Sequence, residues 1–220
     1  MNGQEQMQLL FPEENLDVMQ DYMERFRKMI TFYKCAMMDF ETKLQILNEE
    51  FSLEIDRNPI NHIQCRLNSF LSIRQKAEKI GCPMTPDAIE KNMNDIAGIR
   101  VICSFQDDVY SIADALLRQN DITLISKKDY IESPKSNGYR SLHLIILLPV
   151  FFASEKQYVK VEIQLRTIAM DFWASLEHQL KYKKSFAFTE EMSDELFQCA
   201  QISRTLDEKM NRLKNDVLEH

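Results

Sequence analysis

The sequence predicts a mixed α/β (α+β) domain: a sheet of four to five strands wrapped by helices, with a long helix at each end. Three observations carry this expectation. Residues 158–166 alternate without a break, with Val159, Val161, Ile163 and Leu165 on one face. Tyr158, Lys160, Glu162, Gln164 and Arg166 fall on the other, as in a half-buried strand. Leu16, Met19, Met23, Phe26, Ile30, Tyr33, Met37, Phe40, Leu44, Leu47 and Phe51 recur at alternating steps of three and four, the seam of a long helix. The later strands are joined by hairpin-length links, which a doubly wound βαβ chain does not have.

The elements follow in order. Residues 1–13 precede the first helix, with Pro12 near its start. The heptad seam places one helix over residues 14–54, and its spacing suits either packing inside its own domain or a contact between subunits. Asn58-Pro59 breaks it. A second helix is expected over 59–80, closed by Gly81 and Pro83. In that helix Ile60, Ile63, Leu67, Phe70, Leu71 and Ala77 make an apolar arc, with Arg66, Ser69, Ser72, Lys76 and Lys79 beside it. That polar arc reads equally as a solvated face.

A short helix is expected over 86–91 and a strand over 100–105. A helix over 107–119 has Asp107 or Asp108 to cap it. A strand over 122–130 leads to the loop 131–137, where Gly138 allows tight geometry before a strand over 139–145. On that strand Tyr139, Ser141 and His143 would share a face. Residues 151–156 link it to the strand at 158–166. A helix over 168–183 puts Trp173, Leu176 and Leu180 on one face, with Glu177 and Lys181 spaced to pair. The last helix, 190–218, repeats the seam through Leu196, Cys199, Leu206, Met210, Leu213 and Val217. The chain reads as one domain over 1–220, with an N-terminal helix at 14–56, a core at 59–183 and a C-terminal helix at 189–218.

Composition narrows the function. Hydrophobic residues at 45% and charged residues at 28% are globular values. The five cysteines are scattered and include no CxxC pair, so a reduced cytoplasmic compartment is expected, without disulfides or a zinc site. No signal peptide is expected, and no apolar run is long enough for a bilayer. The formal charge of -7 argues against a general nucleic-acid surface. Residues 57–80 nevertheless hold Arg57, Arg66, Arg74, Lys76 and Lys79 against Glu78. A local basic patch on an acidic chain points to a small anionic ligand, and charge alone leaves RNA at one face open. With four glycines and neither GxGxxG nor a Walker A loop, any nucleoside phosphate must be held by cationic side chains.

Two segments carry most of the signal. One is Lys128-Asp129-Tyr130-Ile131 followed by Pro134-Lys135-Ser136-Asn137-Gly138-Tyr139-Arg140-Ser141-Leu142-His143. The other is Val161-Glu162-Ile163-Gln164-Leu165-Arg166-Thr167, continuing to Asp171-Phe172-Trp173-Ala174 and Glu177-His178. Together they resemble the synthetase domain of RelA/SpoT-type enzymes, in particular the stand-alone small alarmone synthetases. The resemblance runs from about residue 60 to about residue 183, with several motifs in the family's order.

The resemblance implies a nucleotidyltransferase-like sheet. It implies transfer of pyrophosphate from ATP to the 3′-hydroxyl of GDP or GTP, giving AMP and ppGpp or pppGpp in the bacterial stringent response. It assigns Arg66, Ser72, Lys76, Lys79 and Arg100 to ATP. Lys128, Lys135, Tyr139, His143, Gln164 and Asp171 go to the guanine nucleotide, with the base against Tyr139. Asp95 and Glu162 become the catalytic carboxylates and the ligands of Mg2+. Asn68 stands where the family usually has Lys, Lys79 where it has Arg, and Asp171 where some members have Asn. No His is followed by Asp, so the hydrolase pair of the larger relatives is not expected. The resemblance also implies a homotetramer. Two rival readings stay open: a nucleotide- or RNA-binding regulator of the same fold, and a nucleotidyltransferase that releases pyrophosphate.

Overall fold

A computed structural model describes residues 16–181 and 189–218. The expected helix start near Glu14 and the end of the helix at 183 lie outside the described residues. Six helices and five strands are present among those described. The order is α1 (Leu16–Ile55), β1 (Ile60–Leu67), α2 (Phe70–Ile80), α3 (Pro86–Asn92), β2 (Ala97–Cys103) and α4 (Gln106–Leu117). Then come β3 (Thr123–Asp129), β4 (Leu142–Phe151), β5 (Lys156–Thr167), α5 (Ile168–Lys181) and α6 (Glu190–Leu218).

The strands form one mixed sheet in the order β1-β2-β5-β4-β3. β2 and β5 run parallel and the other neighbours antiparallel. The alternation of β5 decides its two faces. Val159, Val161, Ile163 and Leu165 are buried, and they join a core with Val101 of β2 and Leu144 of β4. The seam of α1 closes that core: Phe26, Tyr33, Phe40, Leu44 and Leu47 are buried against it, together with Val109 and Ile112 of α4. The N-terminal seam therefore covers the sheet of its own subunit. Fully burying a side chain of this size stabilises by about 1.5–3 kcal/mol.

The expected helix over 59–80 is not one helix. Its first half is β1, an edge strand paired antiparallel with β2 from Ile60 to Leu67. Ile63, Cys65 and Leu67 turn inward and His62, Gln64 and Arg66 outward, a period of two that the helical arc had absorbed. The helix begins only at Phe70, where the Ser69 hydroxyl accepts from the Ser72 N–H at 3.2 Å. Gly81, at φ 65°, closes it.

Further boundaries differ from expectation: β2 runs over Ala97–Cys103 rather than 100–105, β4 continues to Phe151 rather than ending at 145, and β5 already starts at Lys156. α4 starts at Gln106 after Phe105, and Asp108 in its first turn accepts from the Phe105 N–H at 3.1 Å. β4 starts at Leu142, so Tyr139 and Ser141 belong to the strap before it. Ser141 is buried and donates to the Leu165 carbonyl at 3.1 Å rather than sharing a solvated face with Tyr139.

The strap is pressed against α6. Gly138 sits at φ 86°, and a Cβ there would lie 2.5 Å from the Ala200 Cβ. Gly138→Ala thus combines a left-handed backbone with a clash, and should cost at least about 1 kcal/mol. In a chain of this size that lowers Tm by roughly 2–4 °C per kcal/mol. A thermal melt unchanged from wild type would show that the strap yields freely.

Candidate active site

The outward sheet face carries a row of side chains set by strand register. Gln64 pairs with Arg100, Arg100 with Gln164, Gln164 with His143, and His143 with Lys128. The next row runs from Arg66 through Gly98 to Glu162. A Cβ at Gly98 would meet only the Arg66 carbonyl at 3.9 Å, so protein atoms leave the floor open between those two side chains.

Over this floor lies a cleft of about 730 Å³. Arg66, Ser72, Lys76, Asp95, Arg100, Glu162 and Gln164 all line it, although they come from four elements and one loop. Gln64, Asn68, Arg166, Ser175 and His178 line it too, and the sequence assigned none of them. Lys79 is exposed in the last turn of α2 and Lys128 is exposed on β3, and neither lines the cleft. Lys135, Tyr139, His143 and Asp171 are not among its lining residues either, and Tyr139 and Asp171 reach its edge through Arg166.

Lys76 of α2 pairs with the Asp95 carboxylate. Asn68 fixes the loop that carries Asp95: its side-chain N–H donates to the Asp95 carbonyl at 2.8 Å, and its backbone N–H to the Ile96 carbonyl at 2.9 Å. The residue that departs from the family's Lys thus supports a carboxylate. Glu162 is half-buried. Burial pushes its carboxyl up, but hydrogen bonds from His143 and Gln164 and the nearby Lys76 charge bring it below the ordinary value overall. Glu162 is therefore ionised at neutral pH. Lys76 lies within electrostatic reach of both carboxylates.

A second group of residues is organised by Arg166, whose side chain is 5% exposed. Its Nη2 donates to the Tyr139 hydroxyl at 2.5 Å and to Gln164 Oε1 at 2.9 Å. Its Nη1 donates to Asp171 Oδ1 at 3.1 Å. Arg100 reaches the same Asp171 oxygen at 3.4 Å. Burial and the neighbouring Arg166 charge both lower the Arg100 pKa, with Asp171 opposing them. The Tyr139 hydroxyl, already accepting from Arg166, can give its proton to His143 Nε2 at 2.8 Å. The other ring nitrogen, Nδ1, then carries the proton that faces Glu162 at 3.4 Å. One chain of hydrogen bonds joins Arg166, Tyr139, His143 and Glu162. Lys135 lies 4.7 Å from the Tyr130 ring and 4.8 Å from the Tyr139 ring.

Arg166 is the principal residue that sequence reasoning missed. Its place at the end of the polar face of β5 was visible, but its partners were not. Cys65 also lines the cleft, yet burial and the Glu41 carboxylate push its thiol up to about 11. It is not a thiolate nucleophile at neutral pH.

A metal has a suitable donor set here only in part. Among the described residues no group of three or more His, Cys, Asp or Glu could hold an ion. Asp95 and Glu162 supply two carboxylates on one cleft. That fits Mg2+, which commonly takes one or two carboxylates and completes its shell with water and substrate phosphates.

A mixed sheet with a cation-lined cleft and two carboxylates defines a nucleotide-phosphate enzyme more readily than a polymer-binding surface. The chain belongs to the RelA/SpoT family: residues 65–186 match the model of the region found in RelA/SpoT proteins. It is 43% identical over 203 residues to the GTP pyrophosphokinase YwaC of Bacillus subtilis (strain 168), which covers 92% of this chain and 97% of that one. The crystal structure of small alarmone synthetase 2 from Bacillus subtilis superposes with a TM-score of 0.79 at 43% identity, over 87% of this chain and 98% of that one. Small alarmone synthetase 1 from the same organism, bound to its product pppGpp, gives 0.79 at 34% identity over 88% and 98%.

Proposed function

We propose that this protein is a cytoplasmic (p)ppGpp synthetase that transfers pyrophosphate from ATP to the 3′-hydroxyl of GDP or GTP. The observation that carries this reading is the pairing of two half-sites. Asp95, Lys76 and Arg66 form one around an open floor, and the Arg166-held set of Tyr139, His143 and Asp171 forms the other. Glu162 stands where they meet. ATP takes the first half, with its phosphates among Arg66, Lys76 and Arg100. The guanine nucleotide takes the second, with the base on Tyr139 and its phosphates near Lys128, Lys135 and His143.

The chemistry asked of the protein is alignment and charge neutralisation. Glu162 accepts the proton of the attacking 3′-hydroxyl, or orients it. Asp95 and Glu162 would hold Mg2+, which when bound neutralises charge on the transferred phosphates. The cations keep two anionic substrates side by side. Purified protein given ATP, GDP and magnesium should release one AMP per GDP consumed. Release of pyrophosphate instead would make it a nucleotidyltransferase and overturn the reading.

The same reading includes a homo-oligomer, a tetramer by family resemblance. With the α1 seam spent on its own sheet, the interface falls to α6. There Ile202, Leu206, Met210, Leu213 and Val217 form an exposed apolar stripe, at 45% to 74% exposure. Light scattering should give a mass that is a multiple of 26.0 kDa. Leu206→Asp combined with Leu213→Asp should dissociate it, since a buried unpaired carboxylate is costly. A 26.0 kDa species in the wild type contradicts the oligomer. An intact oligomer in the double variant moves the interface elsewhere.

A further inference from the structure

The inner side of α6 is polar where it meets the body. Asp207 is 8% exposed, and its carboxylate accepts from Arg140 Nη2 at 2.5 Å. Arg140 is equally buried, at 5%. The Thr167 hydroxyl is a second donor to Asp207, and the same oxygen accepts from the Met170 N–H at 3.1 Å where α5 begins. One carboxylate on α6 therefore ties together the strap before β4 and the junction of β5 with α5.

Both tied points adjoin the pair formed by Arg166, which lines the cleft, and Tyr139, which accepts its hydrogen bond. Arg140 follows Tyr139 in the chain, and Thr167 follows Arg166. Tyr139 also packs against the cluster of Trp173, Ala174 and Ala200. Asn137 of the strap donates to Glu177 Oε1 of α5 at 3.2 Å, and its own side-chain oxygen accepts from the Tyr139 N–H at 3.1 Å. The indole N–H of Trp173 donates to the Leu196 carbonyl of α6 at 2.8 Å. The strap is thus clamped between two helices, and its one buried ion pair is Arg140–Asp207 among the described residues. Among the described residues, no hydrogen bond or ion pair ties the donor half of the cleft to α6.

We propose that Asp207 is a positioning residue for the acceptor nucleotide. From α6 it holds Arg140, and through it the strap over residues 135–141 that presents Tyr139. The inference rests on the assignment of Tyr139 to the guanine nucleotide. A buried ion pair adds little to stability against an apolar replacement of equal shape, but losing one partner strands the other charge. Arg140 without Asp207 must turn toward water, and the strap must move with it.

The test compares KM values for the two substrates in Asp207→Asn. KM for GDP should rise roughly tenfold or more while KM for ATP changes by less than about twofold, and Asp207→Glu should restore most of the loss. Lys214→Ala, which removes the 2.8 Å pairing of α6 with Asp107 away from the strap, should leave both KM values unchanged. Equal changes for both nucleotides, or the same shift in Lys214→Ala, would reduce Asp207 to a general structural residue. If Asp207→Asn does not fold, hydrogen exchange on the wild type decides. GDP should slow exchange at 135–141 and at 200–211 together, and an inert ATP analogue should not. Protection of the strap alone would overturn the proposal. Wild-type protein that makes no alarmone defeats the assigned reaction instead, and is seen before any variant is made.

Discussion

Glu162→Gln protein should fold like the wild type and lose synthesis by roughly 10²–10⁴-fold, the range for removing a positioned acid–base group. Gln keeps the size of the side chain and can keep the contact with Gln164, now 3.2 Å away. It loses the charge, and with it the proton acceptance and metal ligation proposed for Glu162. The folded-state pKa of Glu162 lies below its ordinary value. Its charge therefore stabilises the fold above the unfolded pKa, and that contribution is lost as pH falls through the folded pKa. The Gln variant should accordingly melt with a weaker dependence on pH in the acid range. A near-wild-type rate would remove Glu162 from the mechanism.

Tyr139→Ala should weaken GDP binding by about 1–3 kcal/mol, the worth of an aromatic platform under a base. That is roughly 5- to 150-fold in affinity, with little change for ATP. Tyr139→Phe separates the ring from its hydroxyl. The ring remains, so GDP affinity should hold. The link from Arg166 to His143 is cut, so kcat should fall. Titration calorimetry with each nucleotide measures the first effect and steady-state kinetics the second. Equal losses for GDP and ATP in Tyr139→Ala would count against the acceptor role of this residue.

How much of this was legible in the sequence depended on how far apart the partners lie. β5 was plain, because alternation is a local property and Glu162 and Gln164 fall on one face by period alone. The α1 seam was equally plain, yet spacing could not say what it covers. The structure shows that it covers the sheet. β1 was misread because Ile60, Ile63 and Leu67 fit a helical arc that runs on into a real helix. Only the pairing with β2 settles it. The apolar seam of α6 was visible, but the side that meets the body is carried by Ala200, Ser203 and Asp207. A buried Asp207 is unreadable when its partner Arg140 lies 67 residues away. Arg166 was hidden for the same reason: its partners come from the strap and from α5, and no short motif brings them together.

In the proposed reaction two phosphates move together from one nucleotide to the 3′-oxygen of another. ATP labelled at its β-phosphorus, incubated with GDP, magnesium and purified protein, tests it most directly. The label should appear on the 3′ side of a guanosine tetraphosphate, with unlabelled AMP in equal amount. Label in free pyrophosphate or in ADP, with the guanine nucleotide unchanged, would contradict the account.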